Sequence, residues 1–162
     1  MAALTIRDAR PGDLDVIIDY NAGLARETEG KELDLGVLRR GVAIALDDPD
    51  RLRYWVAEAL GADGSPRVVG QAAITREWSD WRSGWIWWFQ SVYVHPDFRG
   101  QGTFRALYAH VRAIARQLPD VIGLRLYVEV NNERAKAVYQ SLGMEPGGYD
   151  VYEDMWIGQP SS

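Results

Sequence analysis

The chain has 162 residues, no cysteine and a formal net charge of −5. That length suits one ordinary domain, 1–162, which buries enough apolar surface to need no staple; the missing cysteines exclude disulfides, thiolate metal sites, iron–sulfur ligation and a cysteine nucleophile. The acidic balance argues against a nucleic-acid groove, which needs concentrated lysine and arginine, and neither a secretory leader nor a run of ~18 apolar residues is present, so the expectation is a cytoplasmic globular protein that binds neither nucleic acid nor membrane.

Leu4–Asp8 alternates as a strand does, Pro11-Gly12-Asp13 reads as a turn with a helix cap, and Leu14, Ile17, Ile18 and Leu24 follow at helical spacing. Leu35, Leu38, Val42 and Leu46 mark a second helix, closed at Asp47-Asp48-Pro49-Asp50, where proline cannot continue the hydrogen bonding. Tyr54–Leu60 and Val68–Thr75 read as strands of an antiparallel hairpin joined by Gly61–Pro66. Trp85–Val94 is apolar with little alternation, the mark of a strand covered on both faces, which belongs in the middle of a sheet.

Beyond the turn His95–Gln101, Phe104, Leu107, Tyr108, Val111, Ala115 and Leu118 share one face of a helix from about Gly102 to Leu118. Leu124, Leu126, Val128 and Val130 alternate with polar residues as a strand, Asn132–Leu142 is a helix with Gly143 at its left-handed end, and Tyr149–Trp156 reads as a final strand. The order is β-α-α-β-β-β-α-β-α-β, a single mixed central sheet flanked by helices in an α/β domain without internal repeats.

The chemistry concentrates between Gln90 and Arg105. A buried strand, a glycine-bearing turn and the start of an amphipathic helix bring backbone N–H groups and the positive helix end to one region. Gly100 and Gly102 clear side chains from the approach of a phosphate, and Arg99 and Arg105 add charge at the rim; a tight turn with solvated arginines is the plainer reading of the same glycines. The P-loop pattern fails for want of Gly-Lys-Ser/Thr, and Arg105 occupies the third glycine position of the dinucleotide fingerprint, so neither ATP nor NAD is favoured.

Val92-Tyr93-Val94-His95-Pro96 followed by Arg99-Gly100-Gln101-Gly102 resembles the acetyl-CoA motif of the GNAT superfamily of N-acetyltransferases, Arg or Gln, two residues, Gly, one residue, then Gly or Ala. Phe104 stands where the small last residue is usual. Asn132-Glu133-Arg134-Ala135 and Val138-Tyr139-Gln140-Ser141-Leu142-Gly143-Met144 are similar to a second family segment, and the order of elements matches over nearly the whole chain.

The resemblance implies transfer of an acetyl group from acetyl-CoA, without a metal, to an amine. Main-chain groups of Val92, Tyr93 and Val94 would bind the pantetheine arm, with the Val92 N–H polarising the thioester carbonyl. Arg99, Gly100, Gln101, Gly102, Thr103, Phe104 and Arg105 would hold the pyrophosphate, with Asn132 a further contact. Tyr139 corresponds to the tyrosine that protonates the departing thiolate in many relatives, although its place in the apolar pattern also suits a core residue. Many relatives carry a carboxylate base on the central strand; Gln90 and Ser91 stand there, so Glu77 is the first substitute and Glu129 the second, with a water chain as an alternative, while His95 is assigned to the turn.

The acceptor pocket of the family lies near Glu27, Glu29, Trp78 and Trp81 here. Carboxylates beside indole rings suit a small cationic amine such as a polyamine, an amino acid or an aminoglycoside-like molecule; Trp78 and Trp81 equally suit a sheet edge or a dimer contact. Alternatives are a protein N-terminal or lysine acetyltransferase and an acetyl-CoA-binding regulatory module without turnover. A homodimer is compatible with the aromatic content, and the sequence leaves open whether the acyl group is acetyl or longer.

Overall fold

The computed structural model describes residues 4–156. Two compact units emerge, Met1–Glu129 and Val130–Ser162. In the first, strand β1 (Thr5–Asp8) leads through a 3₁₀ turn (Pro11–Asp13) into helix α1 (Leu14–Glu29). Asp13 serves this turn and not α1: its carboxylate accepts from the Arg10 N–H at 2.7 Å and from Arg7 at 2.8 and 3.0 Å, while Arg7 also holds Glu58 at 2.6 Å. Burial alone would raise the Asp13 carboxyl, but the bonds from Arg7 and the Arg10 amide outweigh it and hold it below its ordinary value.

Helix α1 ends at Gly30, whose φ of 61° is open to glycine at little cost. Helix α2 (Leu35–Asp47) begins with Asp34 Oδ1 accepting from Val37 N at 2.9 Å, and it stops just before Pro49. Strands β2 (Arg53–Leu60), β3 (Pro66–Ser79) and β4 (Gly84–Val94) follow as antiparallel neighbours, then helix α3 (Thr103–Ala115) crosses to β5 (Val121–Leu126), which lies parallel to β4. The sheet order is β1-β2-β3-β4-β5. The apolar run at 85–94 thus has a strand on either side, as its burial demands, but β3 is the middle strand.

Ile17 and Ile18 of α1 and Val42 and Ala45 of α2 pack on Tyr54 and Ala73, covering one face. On the other face α3 approaches β3 closely: a Cβ at Gly70 would sit 3.1 Å from Thr103 Cγ2 and 3.4 Å from Leu107 Cδ1. Each fully buried large side chain here, Ile17 and Leu107 among them, contributes about 1.5–3 kcal/mol.

In the second unit the one helix among the described residues is α4 (Glu133–Ser141). The expected final strand at Tyr149–Trp156 is absent: these residues have no regular structure, and Tyr149, Tyr152 and Trp156 are 82, 93 and 87% exposed. Alternation makes a strand only where a partner supplies the ladder and a layer covers one face. Likewise the alternation at Val128 and Val130 lies beyond β5, which ends at Leu126, and Leu118 falls outside α3.

Candidate active site

The β3–β4 ladder shifts register at one place. Ala73 pairs with Ser91 while Ile74 pairs with Phe89, so Gln90 is the extra residue of a β-bulge. The bulge reverses the side-chain alternation of β4. Before it, Phe89 stacks on Tyr108 of α3; after it, Tyr93 turns to the opposite face and meets Tyr20 of α1. The backbone alternation reverses as well: Trp85 N donates toward β5, at Asp120 O, whereas His95 N donates toward β3, at Val69 O. Odd-numbered residues past the bulge therefore bond to β3, and Val92 and Val94 direct their main-chain groups to the other side.

On that other side the β4–β5 ladder ends at Phe89 and Leu126. The last residues of β4 run on past the end of β5, so the two parallel strands part and a main-chain edge is exposed in the gap. Arg99 reaches back into this edge, its Nε donating to Val94 O at 2.9 Å and its Nη2 to Glu27 at 2.6 Å. Glu27 also accepts from Tyr93 Oη at 2.8 Å, and burial, then this bond to a carboxylate, raises the Tyr93 phenol. Glu27, on α1, is thus tied to Tyr93 and Arg99, while Glu29 is exposed and paired with Lys31.

The turn after β4 is shaped by two left-handed glycines, Gly100 at φ 73° and Gly102 at φ 85°, and a Cβ on either would point into open space. Gly102 is the N-cap of α3, and the helix's first bond runs from Ala106 N to Gly102 O. The amides of the first turn consequently lie at the positive end of a 13-residue helix. Thr103 is buried and donates to Phe98 O at 3.1 Å, Gln101 donates to Asp97 O at 2.6 Å, and the Phe104 ring lies 6.2 Å from that of Tyr108. Arg105 is exposed beside them. The cradle is open enough for an anion at both glycines. His95 is engaged by Arg67 at 2.9 Å and by the Asp97 amide. An open cleft of about 750 Å³ lies on the α1 side, lined by Tyr20, Glu27, Arg67, Tyr93 and His95.

Glu77 and Trp78 point to opposite faces of β3. Trp78 packs edge-on against Trp85, 5.0 Å away, and Trp81 stands 85% exposed in the β3–β4 turn, so neither ring joins the Glu77 carboxylate. Glu77 is met instead by Trp88, whose Nε1 donates at 2.5 Å, and by Arg125 Nη1 at 3.0 Å. The Tyr127 ring packs against that of Trp88, tilted by 36° with centroids 4.5 Å apart. Gln90 lies on the same face, donating to Thr75 Oγ1 at 2.7 Å. Trp88, Arg125 and Tyr127 were not among the residues expected from sequence. Trp88 lies within the apolar run of β4, and Arg125 and Tyr127 fall on the polar side of the alternation at 124–130. Glu77 stands opposite Ile86, and its backbone lies five β3 residues from Ala72, the partner of Val92, about 17 Å along the ladder. That distance separates it from the Val92 amide and removes the geometric basis for a base acting directly there. Glu129 is exposed past the end of β5.

In the second unit, Asn132 caps α4, its Oδ1 accepting from Ala135 N at 3.0 Å. This gives the Asn-x-x-Ala spacing a structural cause. Tyr139 is half-buried, and burial raises its phenol above the ordinary value. Among the described residues no group of His, Asp or Glu converges to hold a metal ion, and no helix is long and apolar enough to cross a membrane.

The bulged strand, the parting of β4 from β5 and the glycine turn fall within residues 24–144, which match the profile of the acetyltransferase (GNAT) family. The chain belongs to that family. A bovine (Bos taurus) thialysine N-epsilon-acetyltransferase is 31% identical over 151 residues, covering 90% of this GNAT chain and 86% of the relative. The solved structure of a possible acetyltransferase from Clostridium difficile 630 superposes with a TM-score of 0.85 at 44% identity, covering 95% of this chain and 98% of the other. An aminoglycoside N-acetyltransferase in complex with CoA shares the fold at a TM-score of 0.73 and 18% identity, with 96% and 97% coverage. This protein is thus a GNAT acetyltransferase with a mixed five-stranded sheet.

Proposed function

We propose that the chain, acting as one catalytic domain over 1–162, transfers the acetyl group of acetyl-CoA directly to a primary amine of a small acceptor in the cytoplasm. The observation that carries this reading is the exposed main-chain edge of β4 past the bulge, running into a glycine turn at the start of α3. Val92 and the Val94 N–H offer that edge to the amide groups of a pantetheine arm, Val94 O being held by Arg99, and the turn from Arg99 to Arg105 offers amides and charge to a diphosphate. The relatives' names, which specify acetylation of an amine, point the same way.

Acetyl-CoA supplies the activated acetyl group. The amine first loses its ammonium proton to water; its nitrogen then bonds to the acetyl carbon as the carbon–sulfur bond breaks, and the second proton also leaves to water, which returns one to the tyrosine that protonates the sulfur. Val92 N–H is aimed where negative charge grows on the carbonyl oxygen; one fixed donor of this kind contributes about 3–4 kcal/mol. Gln90 and Ser91 at the bulge orient the acceptor or a water and take no proton, because neither is a base at neutral pH. Tyr139, kept protonated by burial, donates to the departing sulfur. Glu77 holds a distal part of the acceptor.

The reading is tested by acetyl-CoA-dependent release of coenzyme thiol across amino acids, polyamines, aminoglycosides and peptides. Release stimulated by one small-amine class supports it. Release with peptides alone moves the acceptor to protein termini or lysines, and tight coenzyme binding without release turns the site into a sensor.

A further inference from the structure

Resting on the assignment of the diphosphate to the turn after β4, we infer that helix α1 carries a socket for Tyr93 which fixes Arg99 at that turn, so that Glu27 and Gly23 are positioning residues for coenzyme binding. Tyr20, Gly23 and Glu27 stand at i, i+3 and i+7 of α1 and so share one face of the helix. Tyr93 of β4 lies along that face. Its ring meets the Tyr20 ring with centroids 5.0 Å apart, it passes over Gly23, and its hydroxyl donates to Glu27 Oε1 at 2.8 Å. A Cβ at position 23 would sit 3.1 Å from the Tyr93 oxygen and 3.2 Å from Cζ, closer than a packed ring allows without moving. Glycine inside a helix is otherwise a cost, and this contact gives it a cause: the missing side chain lets the phenol reach the carboxylate one turn further on.

The carboxylate passes the constraint on. Glu27 Oε2 accepts from Arg99 Nη2 at 2.6 Å, Arg99 Nε donates to Val94 O at 2.9 Å, and the guanidinium lies 5.2 Å from the centre of the Tyr93 ring. The planar fork of arginine has five N–H groups, of which these bonds take two, so donors remain for an anion at Gly100 and Gly102. The pair is half-exposed, its side chains 36 and 43% accessible, and a pair of that exposure adds little to stability. Its effect is on order: a long, flexible cation is held in one place before the coenzyme arrives, so the rotamer freedom that binding would remove is already gone. Two opposing effects meet at Glu27. Its own charge repels a diphosphate, whereas its grip on Arg99 favours one; the grip acts at hydrogen-bond range and the repulsion acts through solvent, so the grip wins.

Titration calorimetry of CoA into the intact protein tests this without turnover. Glu27→Gln is expected to weaken CoA by about 10-fold, as loss of one charged hydrogen bond does. Gly23→Ala removes no polar group and suits a helix, yet it displaces the Tyr93 hydroxyl and should weaken CoA by roughly 3- to 10-fold. With Arg99→Gln already in place, either change should alter CoA affinity by less than ~2-fold, because both act through that guanidinium. Asp15→Asn, which removes the same charge from an exposed pair with Arg39 elsewhere on α1, should leave CoA affinity as it is. In steady-state kinetics the change falls on KM for acetyl-CoA and spares kcat. Unchanged or tighter CoA binding in Glu27→Gln or Gly23→Ala, or a loss of the same size with and without Arg99, overturns the inference and leaves acetyl transfer standing. A protein that binds no CoA at all removes the transferase reading, and the inference with it.

Discussion

Replacing Gly102 by alanine separates the turn's backbone strain from its role toward a diphosphate. At φ 85° and ψ 6° an L-residue pays about 1–2 kcal/mol relative to glycine, and since the new Cβ meets nothing within 4 Å, no clash is added. At about 2–4 °C per kcal/mol for a protein of this size, Tm falls by roughly 2–8 °C. Gly64, in the β2–β3 hairpin at φ 77° with equally open space around its Cβ, is the control: Gly64→Ala carries a comparable strain far from the turn. The two variants should therefore lose similar Tm in differential scanning calorimetry. They should differ in CoA affinity measured by titration calorimetry, where Gly102→Ala rotates the amides at the mouth of α3 and forfeits about one charge-assisted bond, ~10- to 100-fold in Kd, while Gly64→Ala leaves Kd alone. Equal CoA affinity in both variants, with the Tm losses as expected, would refute the assignment of the diphosphate to this turn.

Tyr139→Phe is expected to lower kcat by about 100-fold with little change in CoA affinity, since it removes a proton donor and keeps the ring; steady-state kinetics with an unchanged kcat would return Tyr139 to the core. Tyr20, Tyr54, Tyr93 and Tyr139 all have phenols raised by burial above the ordinary value of 10.0. A group whose folded pKa exceeds its unfolded one supports the fold fully below the unfolded value and loses that support as pH rises through the folded value. Stability should accordingly hold up to about pH 10 and fall above it, with phenolate absorbance and loss of circular dichroism appearing together; full ionisation in an intact fold would contradict the burial. Gly84→Ala should cost about 1–3 kcal/mol, because its Cβ would overlap Ile122 Cγ2 and press on Asp120 O at 3.2 Å. Thermal melts should show part of that loss recovered in the double variant with Ile122→Ala.

The legible parts of the sequence were those with a local cause. Gly100 and Gly102 require left-handed backbone, Pro49 stops α2, and the apolar run in β4 announces a doubly covered strand, so the turn and the helix after it were readable from residues 90–105. The bulge at Gln90 was not readable, since one unpaired residue leaves no trace in an unbroken apolar run. That bulge decides which side of β4 each later residue faces. The Glu77 environment depends on pairing as well: Trp78 is its neighbour in sequence, yet Trp88 and Arg125 reach it across the ladders, from 11 and 48 residues away. At Tyr149–Trp156 the alternation is present and, among the described residues, no strand pairs with it.

The central claim is most directly tested by the mass of the acceptor itself after incubation of the protein with acetyl-CoA and a small primary amine. The account predicts a gain of one acetyl group on the amine nitrogen, matched mole for mole by free coenzyme thiol and formed about 100-fold more slowly in Tyr139→Phe. Thiol release with no acetylated amine, or an amine left unmodified while CoA stays bound, would contradict it.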